Sequence, residues 1–251
     1  VTERKLEGRV AIVTGAARNI GREIALRFAS AGAATVINTL SSVTEAEAVA
    51  EEIRSAGGKA LVVQADVATE EGAAKIVSSA LDSYGRIDCL VNNAAVRRET
   101  PFTELSFREW REVLSIILDG AFLMAKAAQP ALSKSDNAAI INIGGMSAHT
   151  GAASRAHVVT AKAGLVGLTK ALAHDLAADG ITANCVVPGM IGTTRSGASS
   201  GTPSHHASHT PLIGRRGTPG EVAALVEFLA GPDARYLTGQ TMHANGGVFL
   251  P

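Results

Sequence analysis

The residues that could do chemistry begin at Thr14-Gly15-Ala16-Ala17-Arg18-Asn19-Ile20-Gly21, a glycine-bearing turn between an apolar run and a helical pattern. Such a turn lets backbone approach a pyrophosphate, and the helix N-terminus beyond it offers free N–H groups and a positive dipole end. Plain helix–strand packing is the competing use of the same glycines. Three further features end apolar runs: Asp66-Val67, Asn92-Asn93-Ala94-Ala95 and Pro188-Gly189. Ser147 and His149 add a hydroxyl and an imidazole that could titrate near neutral pH as acid or base. His157, His205, His206 and His209 complete five of the seven histidines. His-His-x-x-His has neither carboxylate nor cysteine beside it, so a solvated loop is expected and no metal site. Arg97, Arg98 and Arg155 would suit an anionic substrate if they face a cleft, and are otherwise solvated charges.

These residues must be placed by strands and helices, and the pattern supplies both. Val10–Val13, Ala34–Asn38, Ala60–Gln64, Ile87–Asn92, Ala139–Ile143, Ile181–Val187 and Gln240–His243 read as strands, mostly continuous apolar runs suited to a sheet covered on both faces. Between them, Gly21–Ser30, Glu45–Ser55, Glu70–Ser83, Phe107–Ala131 and Ala161–Ala178 read as helices. The alternation predicts an α/β, Rossmann-type, doubly wound fold: a seven-stranded parallel sheet with helices on both faces, in one domain over residues 1–251. Residues 192–210, GTTRSGASSGTPSHHASHT, are poor in apolar side chains and follow a strand, which predicts a loop at the carboxyl edge acting as a substrate lid.

The 251 residues carry 23 Lys+Arg against 23 Asp+Glu, a balance that argues against a nucleic-acid partner. No uninterrupted apolar run reaches membrane-spanning length, and the charged start Val1 to Arg9 lacks a signal-peptide core. Cys89 and Cys185 lie within apolar runs and read as buried thiols. A cytoplasmic protein with a small-molecule ligand and no membrane partner is the expectation.

With those turns, the segments GRIDCLVNNAA, AKAGLVGLTKALAHDLA, ITANCVVPGMIGT and YLTGQTMHANGG resemble the short-chain dehydrogenase/reductase family over essentially the whole chain. The resemblance implies a nicotinamide cofactor, a homotetramer or homodimer, and a cofactor set of Gly15, Arg18, Asn19, Ile20, Gly21, Asp66, Val67, Asn93, Ala94, Ala95, Lys162, Pro188, Gly189, Ile191 and Thr193. Asn19 replaces the middle glycine of the family's TGxxxGxG loop, and asparagine tolerates the left-handed backbone better than other side chains. Ala95 replaces the last glycine of NNAG. The segment Asn38-Thr39-Leu40-Ser41-Ser42 has no carboxylate to repel a 2′-phosphate, and Arg18 stands in the phosphate loop. These features favour NADP(H), with NAD(H) as the alternative.

The family's chemistry rests on Tyr-x-x-x-Lys, a serine before it and an asparagine on an earlier helix. Here Lys162 is present, but Val158 stands at the tyrosine position, Gly145 at the serine position and Ile117 at the asparagine position. The two tyrosines, Tyr84 and Tyr236, lie elsewhere. A positioned general acid contributes about 10²–10⁴ in rate, so the usual mechanism is not expected. Lys162, His149 and Ser147 are the remaining candidates for catalysis. Two functions stay open: an NADP(H)-binding oxidoreductase-like protein acting on a small carbonyl or hydroxyl compound through a non-standard proton donor or non-redox acid–base chemistry, and an inactive pseudoenzyme serving as sensor or partner subunit.

Overall fold

Five of the apolar runs become strands buried at every position: β1 (Val10–Val13), β2 (Ala34–Thr39), β4 (Cys89–Asn92), β5 (Ala139–Ile143) and β6 (Thr182–Pro188). In the computed structural model, which describes residues 4–193 and 210–251, they join β3 (Lys59–Gln64) and β7 (Thr241–Ala244). The sheet is parallel throughout, in the order β3-β2-β1-β4-β5-β6-β7. Edge strands β3 and β7 are less covered, as the sheet's geometry requires. Register places Ile12 opposite Val36 on one side and Leu90 on the other. The strand order reverses direction between β1 and β4, so a crevice opens above their carboxyl ends.

On one face lie α1 (Asn19–Ser30), α2 (Val43–Ser55) and α8 (Pro219–Ala230), whose Ile24, Phe28, Val49, Ile53, Val222 and Leu229 cover Val13 and Ile141. On the other, α3 (Glu70–Tyr84), α5 (Gly120–Leu132) and α7 (Ala156–Asp175) cover Ile12, Leu90 and Ile140 with Ile76, Met124, Leu132 and Ala173. Side-chain caps fix where several of these helices begin. Thr69 Oγ1 accepts from Gly72 N at 3.0 Å ahead of α3, and Gly85 closes that helix at φ 74°.

The structure differs from the sequence reading in three helices. The single helix expected over Phe107–Ala131 is α4 (Phe107–Leu114), a π-turn (Ser115–Asp119) and then α5. Helix α7 starts at Ala156, five residues before the expected Ala161. Helix α8 had no counterpart among the expected helices. Phe107–Leu132 is long and apolar enough to cross a membrane by length and composition, yet Val113, Met124, Ala128 and Leu132 are in the core.

Candidate active site

A cleft of about 350 Å³ runs along the carboxyl ends of the strands. Its first stretch is the β1–α1 turn. Gly15 adopts φ 61°, and Asn19 adopts φ 53°, the left-handed conformation that its side chain was expected to tolerate. Thr14 Oγ1 accepts from Asn93 N (2.9 Å) and Ala94 N (3.0 Å), and Asn93 Nδ2 donates to Thr14 O (2.9 Å) and Gly15 O (3.0 Å). These bonds pin the turn to the end of β4. A Cβ on Gly21 would lie 2.5 Å from Asn93 Nδ2 and 2.6 Å from Gly15 O, so packing alone demands glycine there. Helix α1 has no carboxylate in its first turn and no side-chain cap from Arg18, and its positive dipole end lies at the cleft. A pyrophosphate fits that position.

Beyond the turn, Asn38 is buried; its Oδ1 faces Gly15 N (3.4 Å) and its Nδ2 donates to Ala65 O (3.0 Å). Thr39, Leu40, Ser41 and Ser42 line the cleft with Arg18, and Asp66 and Val67 stand at the end of β3. Arg18 Nη1 also reaches Glu45 Oε1 at 3.3 Å, a carboxylate three residues past the segment read from the sequence. All fifteen residues of the expected cofactor set line this one cleft, Pro188, Gly189, Ile191 and Thr193 among them.

The far end is formed by β5 and α7. Lys162 Nζ donates to Ile143 O at 2.5 Å, and the side chain is buried. Burial lowers its pKa to about 7, and the Arg97 and Arg155 charges push the same way. Val158, one turn before Lys162, lines the cleft and also packs with Val113, Ile117, Ala121, Ala161 and Leu165. A Cβ on Gly145 would lie 3.5 Å from Lys162 Cγ, an ordinary contact that leaves room for a side chain. Beneath the cleft, Asn92 Nδ2 donates to Asn142 Oδ1 (2.9 Å) and Asn142 Nδ2 to Thr169 Oγ1 (2.9 Å).

Ser147 lines the cleft as expected of a candidate, but His149 does not. The short helix α6 (Ser147–Thr150) turns His149 against His243 of β7 and Phe249, with ring centroids 4.6 and 5.7 Å away. Burial lowers its pKa, and its Nε2 is buried with no hydrogen-bond partner among the described residues. This position corrects the expectation of an acid or base at the cleft. His157 is fully buried between α7 and α4, 3.4 Å from Glu109 Oε1. Arg98 pairs twice with Glu112 at 2.7 Å, whereas Arg97 and Arg155 line the cleft. The expected lid falls mainly on residues 194–209, with His205, His206 and His209, outside the described residues.

Sequence reading missed Ile116, Gly144 and Met146 as cleft residues. Ile116 reaches the cleft from the π-turn, which the expected straight helix did not include.

The family model described as enoyl-(acyl carrier protein) reductase matches residues 15–249. A 3-oxoacyl-[acyl-carrier-protein] reductase of Synechocystis is 39% identical over 246 residues, 98% of each chain. A dehydrogenase/reductase structure from Sinorhizobium meliloti superposes with a TM-score of 0.92 at 33% identity, covering 99% of this chain and 98% of that one. A short-chain dehydrogenase from Burkholderia cenocepacia, solved in complex with NADP, gives 0.90 at 31% identity over 97% and 99% of the two chains. With the parallel sheet, the pinned β1–α1 turn and Lys162 on α7 all in place, the chain belongs to the short-chain dehydrogenase/reductase family.

Proposed function

We propose that this chain binds NADP(H) in the cleft and acts as an oxidoreductase on a small carbonyl or hydroxyl compound, with Lys162 in place of a phenol as the proton-carrying group. The observation that carries the reading is one cleft with the N-terminus of α1 at one end and Lys162 at the other. The NADP complex of the Burkholderia relative and the reductase name of the Synechocystis relative support it.

The first N–H groups of α1 would hold the pyrophosphate, and Arg18 with Ser41 and Ser42 would meet a 2′-phosphate. Once bound, the nicotinamide supplies or accepts a hydride. Glycine at 145 and valine at 158 place no hydroxyl between Lys162 and the cleft. A pKa near 7 suits an ammonium that gives up a proton at neutral pH. Ile143 O, accepting from Nζ, holds the group at the end of β5.

A second reading, binding without turnover, is favoured by the apolar packing of Val158 with Ile117 and Val113. Titration with NADPH and NADH, followed by hydride-transfer assays on a carbonyl panel for wild type and Lys162→Ala, separates the two. NADPH binding with turnover lost in Lys162→Ala is expected. Binding without turnover in wild type favours the second reading, and no binding of either nucleotide removes both. Arg18→Ala should weaken NADPH by about tenfold and leave NADH little changed.

A further inference from the structure

Two ion pairs join α1 to α2, and they differ in what their arginines can reach. Arg18, the N-cap residue of α1, pairs with Glu45 in the first turn of α2, Nη1 to Oε1 at 3.3 Å. One turn further along α1, Arg22 pairs with Glu52, Nη2 to Oε2 at 2.5 Å. The Arg22 pair stands off the cleft, whereas Arg18 lines it together with Ser41 and Ser42, and Glu45 lies just outside. The turn between β2 and α2 is held by its own bonds: Ser42 N donates to Thr39 Oγ1 (3.1 Å), and Gln64 Nε2 donates to Leu40 O (3.0 Å). The Arg18 guanidinium therefore sits between the Glu45 carboxylate and the rim of the cleft. Both side chains are about half exposed, and an ion pair in that setting is weak enough for a stronger anion to open.

Building on the NADP(H) reading, we infer that Glu45 sets how strongly the cleft distinguishes NADP(H) from NAD(H), by holding the guanidinium that a 2′-phosphate must draw away. A phosphate carries more charge and more acceptor oxygens than a carboxylate, so it wins the guanidinium. Glu45 then faces that phosphate as a like charge across the rim, which reduces the gain. A nucleotide with a free 2′-hydroxyl has no such claim on Arg18 and leaves the pair closed. Glu45 is thus a positioning residue that acts through Arg18 and narrows the preference for the phosphorylated cofactor. Glu52 carries the same charge on the same helix, two turns on, but its arginine does not line the cleft. It provides the internal control.

The test compares adenosine 2′,5′-bisphosphate with 5′-AMP by calorimetry, since these probes carry the distinguishing phosphate without the nicotinamide. Wild type is expected to bind the bisphosphate more tightly. Glu45→Gln should widen that ratio by about three- to tenfold, through the bisphosphate alone, and rising salt should shrink the gain. Glu45→Asp, which keeps the charge, should move the ratio less, and Glu52→Gln should leave it as in wild type. In an Arg18→Ala background the gain from Glu45→Gln should fall to about twofold or less. A ratio unmoved by Glu45→Gln overturns the inference, as does an equal widening by Glu52→Gln or a full gain without Arg18. The NADP(H) reading fails separately: no binding of NADPH or NADH to wild type removes the cofactor site and this role with it, whereas NADPH binding with an unmoved ratio removes only the role of Glu45.

Discussion

Lys162, Val158 and Gly145 stand within one turn and one strand end of each other, and their environment determines what each can contribute. Lys162 is buried, with a pKa of about 7 against an ordinary 10.5. In the reduction direction the ammonium is the donor, so kcat/KM should fall as pH rises through about 7, a profile that steady-state assays can trace. The same shift has a stability consequence. Between about pH 7 and 10.5 the unfolded chain binds the extra proton, so stability rises with pH across that window. Lys162→Met should abolish this rise, as denaturant melts at several pH values would show. Gly145 has room for a hydroxymethyl group 3.5 Å from the lysine stem, and Val158 already faces the cleft. Val158→Tyr combined with Gly145→Ser should therefore raise carbonyl reductase activity by about 10²–10⁴. That neither tyrosine lies near Lys162 in the chain was readable from the residue positions alone. The lysine's burial was not, because it depends on packing between β5 and α7.

At the scale of elements, strands β1, β2, β4, β5 and β6 were legible as short, mostly apolar runs that are buried throughout, and β3 and β7 as less covered runs at the edges. Helix ends were less so. The signal for α8 was present: Thr218 accepts from Glu221 N at 3.2 Å, Glu221 reaches back to Thr218 N at 2.8 Å, and Pro219 sits in the first turn. Thr218→Ala should cost about 1 kcal/mol, measurable by denaturant unfolding. The π-turn at Ser115–Asp119 left no such mark in the apolar pattern; just beyond it, a Cβ on Gly120 would press Val67 at 3.0 Å. The early start of α7 was hidden behind Ser154, which holds φ 58° outside the helix and accepts from Thr100 N at 2.7 Å. Gly21→Ala should destabilise by about 1–3 kcal/mol, because its Cβ would strike the turn's own backbone at Gly15 O.

Across the whole molecule, the order of the sheet decides where the site lies, and a buried anion far from the cleft helps hold that order. Asp88 accepts from Val10 N (2.8 Å), Arg86 Nη2 (2.6 Å) and Ser135 Oγ (2.5 Å), tying β1 to the segments before β4 and β5. Burial opposes its ionisation, but these donors prevail and the pKa is lowered. Its stabilising contribution is present above the ordinary carboxylate range and is lost as pH falls through the lowered value. Asp88→Asn should cost about 3 kcal/mol and flatten the acid limb of the stability profile. The sheet was legible in the sequence because strand–helix alternation with short connections permits few other solutions. The convergence of Arg97 and Arg155 beside Lys162 was only one option among solvated charges, since three distant segments meet there. The most direct test of the account is a single-turnover measurement of NADPH consumption by a small carbonyl compound, in wild type and Lys162→Ala. Consumption by wild type and none by the variant is the predicted result. No NADPH binding, or equal consumption in both proteins, would contradict it.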